Sequence, residues 1–513
     1  MDPASKICIS LAGARAPQIA VALASVRRFD PAIFEIRFDS LEPAEIESAL
    51  KIAKQAASTG AKILATFRPK SAGGFRDISI EERIEFWQKA SDCGFWGCDL
   101  EPEDVFLFPA SSFSNIIVSF HSFEAKPADL PLEEIYGRLA SIPNAIIKIA
   151  ANVPEAADGA ALWQLLGRAR ESDCKFIPIG MGEAGKWTRI LATAFGSPMT
   201  YVAISDNSAL APGQIAVDDF LNLYRGQSIT QDTEIFGLLA ENTSYSLSPI
   251  IHNAAFAATG MNRVFIPFQT ASVKRFFEEV AEKNLFKLRG LAVTNPHKID
   301  VMRYLDEIDE SAETVGAVNT VLFTENRRIG LNTDLMGFIG PLKARFPELK
   351  SSRVAIIGTG GAARSVAAAL RRQKAEISIF GRDLAKAVSI AACFGGSAAQ
   401  LKPDGETDFS SFDVVVNATP AGTIGPLSGV KVATAERLQG VRIVYDLVYN
   451  PPRTPLIVAA EEAGAEVIGG LEMLIKQAEA QFEIWTGSLS PKGVMEIAAQ
   501  QYFGNAAKTS EAD

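Results

Sequence analysis

Lys148 stands in "AIIKIAAN" between Ile147 and Ile149, inside an apolar run of strand character. Burying an ammonium is costly, and desolvation shifts the amine toward its neutral form. A neutral amine attacks a ketone and forms a Schiff base. One apolar run earlier, "IIVSFHSF" ends in His121, one of three histidines in the chain and a candidate proton carrier. Charged and polar residues recur at the ends of the other runs: Glu35, Arg37 and Asp39 in "FEIRFD", Arg68 in "ATFR", and Glu101 in "DLE". Arg189 follows a later run, and "APGQI" supplies Gln214. An amine, an imidazole, carboxylates and guanidiniums brought to one place suit imine formation with a proton shuttle.

The elements that must bring them together show a regular rhythm. Eight short apolar runs begin at residues 7, 34, 62, 95, 116, 146, 175 and 199. Their spacing leaves room for a helix and two loops each, and helical patterns such as "EERIEFWQKASD" intervene. Eight β/α repeats over residues 1–225 predict a (β/α)8 barrel, whose active site forms at the C-terminal ends of the strands. The short polar stretch "GQSITQDT", 226–233, reads as a linker. It predicts that 1–228 and 231–513 are separable.

Beyond the linker, strands and helices alternate from 234 to 335. A second start follows at "RVAIIGTGGAARSVAAALRR", a strand, a glycine-rich turn and an Ala-rich helix. Gly358, Gly360 and Gly361 in that setting predict a Rossmann-like dinucleotide domain over 336–470. At the end of the next strand, "EISIFGRD", the cations Arg382 and Lys386 favour a 2′-phosphate and hence NADP(H). Asp383 between them is the feature that suits a ribose hydroxyl, hence NAD.

"FEIRFD", "ATFR", "DLE", "VSFHSF", "IIKIA", "MGEAGKWTRI" and "APGQI" together resemble type I 3-dehydroquinate dehydratase over residues 7 to about 222. The resemblance implies a Schiff base on Lys148, with His121 as general acid and base and Glu101 orienting it. It implies that Arg189 and Gln214 hold the substrate, with Glu35, Arg37 and Arg68 completing the pocket. Two loop positions depart from that family's pattern: Ala72 stands where it often has Glu, and Leu210 where it often has Ser.

"SYSLSPIIHN", "LAVTNPHKID", "VGAVNTV", "GLNTDLMG", "VNATPAGT", "YDLVYNPPRTPLI" and "GLEMLIKQAEAQFEIWTG" resemble shikimate dehydrogenase over 234 to about 504. That resemblance implies a substrate-binding domain at 234–335, completed by helices within 471–504. It implies Lys298 and Asp334 as catalytic dyad, and substrate on Ser246, Ser248, Thr294, Asn319, Tyr449 and Gln477. The cofactor site would comprise Gly358, Thr359, Gly360, Gly361, Ala362, Arg382, Lys386, Asn417, Thr419, Gly470 and Met473. Ala292, Gly381 and Asp383 depart from its usual residues. His252 and His297 read as structural.

The two resemblances describe consecutive reactions of the shikimate pathway, the product of the first being the substrate of the second. The rivals are an NAD-dependent quinate/shikimate dehydrogenase fusion used in catabolism, and a regulator with the same two domains. The latter is disfavoured by the presence of Lys148, His121, Lys298 and Asp334.

Composition agrees with an enzyme of small molecules. The 513 residues are 48% hydrophobic and 21% charged, with a net charge of −10. That balance fits several globular domains, and without a basic stripe it argues against a nucleic-acid surface. Five scattered cysteines without a CxxC pair suit a reduced, cytoplasmic protein without a metal site. No apolar run is long enough for a membrane span, and "MDPASKICISL" enters a strand too soon for a targeting peptide. Oligomeric state is not readable.

Overall fold

The computed structural model describes residues 6–29, 32–106 and 112–510, with the side chains of 128 and 505–510 excepted. Eight parallel strands span the first part of the chain: β1 (Ile7–Leu11), β2 (Ile33–Arg37), β3 (Lys62–Thr66), β4 (Gly97–Leu100), β5 (Ile116–Ser122), β6 (Ala145–Asn152), β7 (Phe176–Met181) and β8 (Thr200–Ala203). Their residues are nearly all buried, as parallel strands covered by helices require. A two-residue strand, β9 (Ile215–Ala216), extends the sheet beside β8. The order is β7-β6-β5-β4-β3-β2-β1-β8-β9, so the curled sheet has its seam at β7. Pro178 lies in that strand, and a proline is tolerated at sheet edges because it lacks an N–H.

Register sets the site. Ser10 lies opposite Glu35, Thr66 opposite Asp99, and Ser119 opposite Lys148. Alternation then carries Glu35 with Arg37, Thr66 with Arg68, Asp99 with Glu101, and Ser119 with His121 toward the same side.

The second part holds two further six-stranded sheets. One is formed by β10 (Glu234–Ala240), β11 (Arg263–Gln269), β12 (Leu288–Val293), β13 (Glu307–Ile308), β14 (Thr320–Phe323) and β15 (Arg328–Leu331), in the order β11-β10-β12-β14-β15-β13. The other is formed by β16 (Arg353–Ile357), β17 (Glu376–Gly381), β18 (Ser397–Gln400), β19 (Val414–Asn417), β20 (Ile443–Asp446) and β21 (Glu466–Gly469). Its order, β18-β17-β16-β19-β20-β21, is all parallel, the doubly wound arrangement expected of a dinucleotide domain.

By compactness the chain divides into residues 1–235 with 262–287, and residues 236–261 with 288–513. Residues 262–287 therefore belong with the barrel, although they follow the polar stretch read as a linker. Phe286 packs against Trp163 and Trp187, with ring centroids at 6.3 and 5.6 Å. Trp163 Nε1 donates to the carbonyl of Leu285 at 3.1 Å. Arg275 donates to Asp158 at 2.7 Å, a carboxylate otherwise sealed from water. Cutting at 228 strips the barrel of this cover.

Candidate active sites

The barrel centre is a buried ionic cluster arranged around Asp99. Lys148 and Ser119 both donate to it, Ser119 at 2.5 Å. Arg68 pairs with it at 3.0 Å, and Tyr201 Oη lies at 3.4 Å. Burial opposes ionisation of Asp99, but the charges of Lys148 and Arg68 prevail and hold its carboxyl down at about 2. Burial lowers the Lys148 pKa, Asp99 opposes the shift and Arg68 adds to it. Lys148 Nζ also sits 4.2 Å from the centre of the Tyr201 ring.

A second layer lies above. Arg68 Nε donates to Glu101 at 2.7 Å, so one guanidinium joins the two carboxylates. Burial raises Glu101 to about 6 against the pull of Arg68. The other Glu101 oxygen is 3.9 Å from His121 Nδ1, beyond hydrogen-bond reach. His121 is held well below its usual pKa by burial, then by Arg68, Lys148 and Arg37, so it is neutral and this contact is not an ion pair. Its ring stacks at 6.2 Å on Phe123.

The remaining barrel residues fall into place around this core. Glu35 accepts from Ser10 at 2.6 Å and Thr66 at 2.8 Å, and Gln214 Nε2 donates to Ser10 at 3.1 Å. The short strand β9 immediately after Gln214 anchors it there. Arg37 is clamped by Asp39 through two bonds of 2.9 and 2.7 Å. Arg189 is fully buried and pairs with no carboxylate among the described residues. It donates to Pro212 O at 3.4 Å, its Nε has no partner, and burial pushes its pKa down to about 10. A desolvated guanidinium with an unfilled N–H is a receptor for an anionic group.

In the second unit, Lys298 Nζ donates to Asp334 at 2.5 Å. Asp334 opens the helix Asp334–Arg345, and its other oxygen accepts from Asn319 Nδ2 at 2.7 Å. Gln477 accepts from the same amide at 3.3 Å. Ser246 donates to Ser248 at 3.1 Å, and half-buried Tyr449 is hydrogen-bonded with Ser246. Thr294 directly follows β12, four residues before Lys298, and its carbonyl accepts the His297 N–H.

The glycine-rich turn lies beside this dyad. Gly358 has φ +127, and a Cβ there would meet Ala418 O at 2.8 Å. A Cβ on Gly361 would come within 3.1 Å of the Lys298 stem. The helix Gly361–Arg372 has no side-chain cap, which leaves its first N–H groups open to a phosphate. Ala362 is in its first turn, and Thr359 packs where a side chain on Gly381 would clash at 2.7 Å. Arg382 and Lys386 are exposed, and Asp383 caps the next helix by accepting from Lys386 N at 3.2 Å. Asn417 spends its amide on Asp446, Ala421 and Thr419, shaping the loop from behind. Gly470 and Met473 lie in the first turn of the helix Gly470–Thr486, where a Cβ on Gly470 would strike Leu447 O at 2.3 Å. These features fit a dinucleotide.

Comparison with known proteins divides the chain between two enzyme families near residue 235. Residues 7–231 match type I 3-dehydroquinase, and 238–321 match the shikimate dehydrogenase substrate binding domain. Residues 342–447 match shikimate/quinate 5-dehydrogenase, and 470–500 its C-terminal domain. A chloroplastic bifunctional 3-dehydroquinate dehydratase/shikimate dehydrogenase of Arabidopsis thaliana is 30% identical over 455 residues, 84% of this chain and 74% of that protein. The chain belongs to the bifunctional 3-dehydroquinate dehydratase/shikimate dehydrogenase family. An NADP(+) shikimate dehydrogenase of Methanocaldococcus jannaschii is 37% identical over half of this chain and 93% of its own length. A shikimate dehydrogenase solved with NADP+ matches with a TM-score of 0.50 and 34% identity, over 53% of this chain and 97% of its own.

In the dehydratase half, sequence reasoning missed Asp99, the hub of the cluster. It also missed Ser10, Thr66, Ser119 and Tyr201, which complete its hydrogen bonding. Asp99 had a signal: it stands two residues before Glu101 in "DLE", hence on the same face. In the dehydrogenase half it missed Thr333, whose N–H and hydroxyl both meet Asn319. Among the described residues no group of three His, Cys, Asp or Glu could hold a metal, and no helix is long and apolar enough to cross a membrane.

Proposed function

We propose that the chain dehydrates 3-dehydroquinate to 3-dehydroshikimate in the barrel and reduces that product to shikimate with NADPH in the second unit. The observation that carries the first step is Lys148, fully buried yet sharing its one carboxylate partner with Arg68. Its amine adds to the substrate ketone and water leaves, forming an imine. His121 takes a proton from the adjacent carbon, and the electron pair moves into the imine. Return of that pair expels the hydroxyl, which departs as water with the proton from His121. Hydrolysis of the product imine frees Lys148. Glu101 supports His121 while it carries the proton, and Arg189, Gln214, Glu35, Arg37 and Arg68 hold the substrate.

In the second unit NADPH supplies a hydride when bound at Gly358–Ala362, Arg382, Lys386, the Asn417–Thr419 loop, Gly470 and Met473. Lys298 gives a proton to the ketone oxygen, and Asp334 holds and recharges it. Ser246, Ser248, Thr294, Asn319, Tyr449 and Gln477 hold the substrate. All five cysteines are free, which suits a reducing cytoplasm. The NAD-dependent catabolic reading rests on Asp383.

Borohydride added with 3-dehydroquinate should fix one substrate-derived mass on Lys148. Lys148→Ala should lose dehydration and trapping while still oxidising NADPH with 3-dehydroshikimate. Near-normal dehydration by that variant would overturn the imine mechanism.

A further inference from the structure

The dehydrogenase dyad is the end of a longer buried chain of hydrogen bonds. Asn319 Nδ2, which donates to Asp334, belongs to an amide whose Oδ1 accepts from Thr320 Oγ1 at 2.7 Å and from Thr333 N at 2.8 Å. Thr320 Oγ1 in turn accepts from Gln481 Nε2 at 3.0 Å. The same Gln481 nitrogen reaches the Asn319 carbonyl at 3.2 Å. Gln481 Oε1 lies 3.3 Å from His252 Nε2. His252, Gln481, Thr320 and Asn319 are each at most 2% exposed.

Donor and acceptor roles along this chain have one consistent solution. A carboxylate only accepts, so Asn319 must turn its NH2 toward Asp334 and its oxygen away. Thr320 therefore spends its proton on Asn319 and can only accept from Gln481. Gln481 then presents its oxygen to His252, which must donate from Nε2. Burial holds the His252 pKa near 3, so the ring is neutral, with that one N–H. Gln481 stands one helical turn beyond Gln477, on the face that meets Asn319. A buried polar chain of this length is costly unless every member is satisfied, and when satisfied it holds its members in one arrangement.

We propose that Thr320 and Gln481 are positioning residues of the dehydrogenase, holding the Asn319 amide so that Asp334 stays aligned on Lys298. This rests on the Lys298/Asp334 reading above. Thr320 and Gln481 act through Asn319 and not on substrate or cofactor. His252 fixes the far end.

The test uses the full chain, whose dehydratase activity and NADPH binding report that each variant is folded. Thr320→Val keeps the shape and deletes the hydroxyl. It should lower kcat for NADPH-dependent reduction of 3-dehydroshikimate about 3- to 10-fold, the size of one lost hydrogen bond, and move KM less than about twofold. Thr320→Ser should recover kcat to within about twofold. Gln481→Leu should match Thr320→Val, and it carries the test if the valine variant does not fold. Nitrogen NMR of His252 should show the Nε2–H tautomer in the wild type. Unchanged kcat in both variants, equal impairment by serine and valine, or a rise confined to KM overturns the proposal. A wild type that cannot reduce 3-dehydroshikimate would instead sink the underlying dyad reading.

Discussion

Glu101 is the group that should set the acid limb of the dehydratase. Its carboxyl is pushed up to about 6 by burial, against the charge of Arg68. His121 beside it is surrounded by Arg68, Lys148 and Arg37, all of which oppose its taking a proton. An ionised Glu101 is therefore what makes proton uptake by His121 feasible. With a pKa of about 6, roughly nine-tenths of Glu101 is ionised at pH 7 and about one-tenth at pH 5. The dehydratase kcat/KM should fall about tenfold between those values. Glu101→Gln keeps an oxygen for Arg68 Nε but never ionises, so its activity should be low and flat across this limb. Stability should move the other way. The carboxyl is raised from 4.5 to about 6, worth about 2 kcal/mol at 1.36 kcal/mol per unit. Because the folded pKa lies above the unfolded one, that contribution is fully present below pH 4.5 and is lost as pH rises through about 6. The glutamine variant retains it. At pH 8 its barrel should resist urea better than wild type by up to about 2 kcal/mol, and the advantage should vanish by pH 4.5. Four of the five tryptophans, Trp87, Trp96, Trp163 and Trp187, lie in the barrel unit, so tryptophan fluorescence follows the relevant transition. An acid limb that persists unshifted in Glu101→Gln, or wild-type turnover by that variant at pH 7, would refute the assignment.

Two other expectations are more local. Phe286→Ala should destabilise the barrel by about 3–5 kcal/mol, since it empties the space against Trp163 and Trp187. Fragment 1–228 should for the same reason unfold at lower urea than a chain ending beyond 287, and equal midpoints would count against the packing argument. Asp383→Ser keeps the helix cap on Lys386 N but removes a negative charge beside Arg382. NADPH should then bind about 3- to 10-fold tighter in a fluorescence titration at low salt, with NADH unchanged. Parallel gains for both nucleotides would show that Asp383 does not face the 2′ position.

What the sequence made legible was what local pattern records. Apolar runs at regular spacing showed the barrel strands, and a lysine inside one of them, Lys148, pointed to the buried ionic cluster. The glycine turn between a strand and a helix showed the dinucleotide domain. The dehydrogenase residues, from Ser246 to Gln477, came from resemblance and not from periodicity. Other features needed more than local pattern. "DLE" sets Asp99 on the face of Glu101, but its importance lies in Arg68 just after β3, Ser119 of β5 and Lys148 of β6, which register brings to it. β9 is only two residues long, too short for any period to show. Residues 262–287 read as an ordinary strand and helix, and nothing in "VFIPFQ" says that its neighbours cover Trp163. His252 was read as structural because a sequence cannot show which atom of a buried amide faces which partner.

On the proposed reading the chain uses lysine twice, for different chemistry, and the neighbours decide which. Lys148 is sealed in the barrel against the face of Tyr201, with a guanidinium nearby. Its one carboxylate, Asp99, is divided among Lys148, Arg68, Ser119 and Tyr201. An amine that must share its counter-charge with a permanent cation can give up its proton, and a free lone pair is what attack on a ketone requires. Lys298 has Asp334 at 2.5 Å, and the carboxylate's second oxygen is held by Asn319, not by another cation. That arrangement suits the role proposed for Lys298, holding a proton and passing it on. Had Asp99 served Lys148 alone, the barrel amine would be tied up as an ion pair. Arg68 would therefore do more than the substrate binding proposed for it: by drawing on Asp99 and Glu101 together, it favours the free amine at Lys148 while keeping both carboxylates in place.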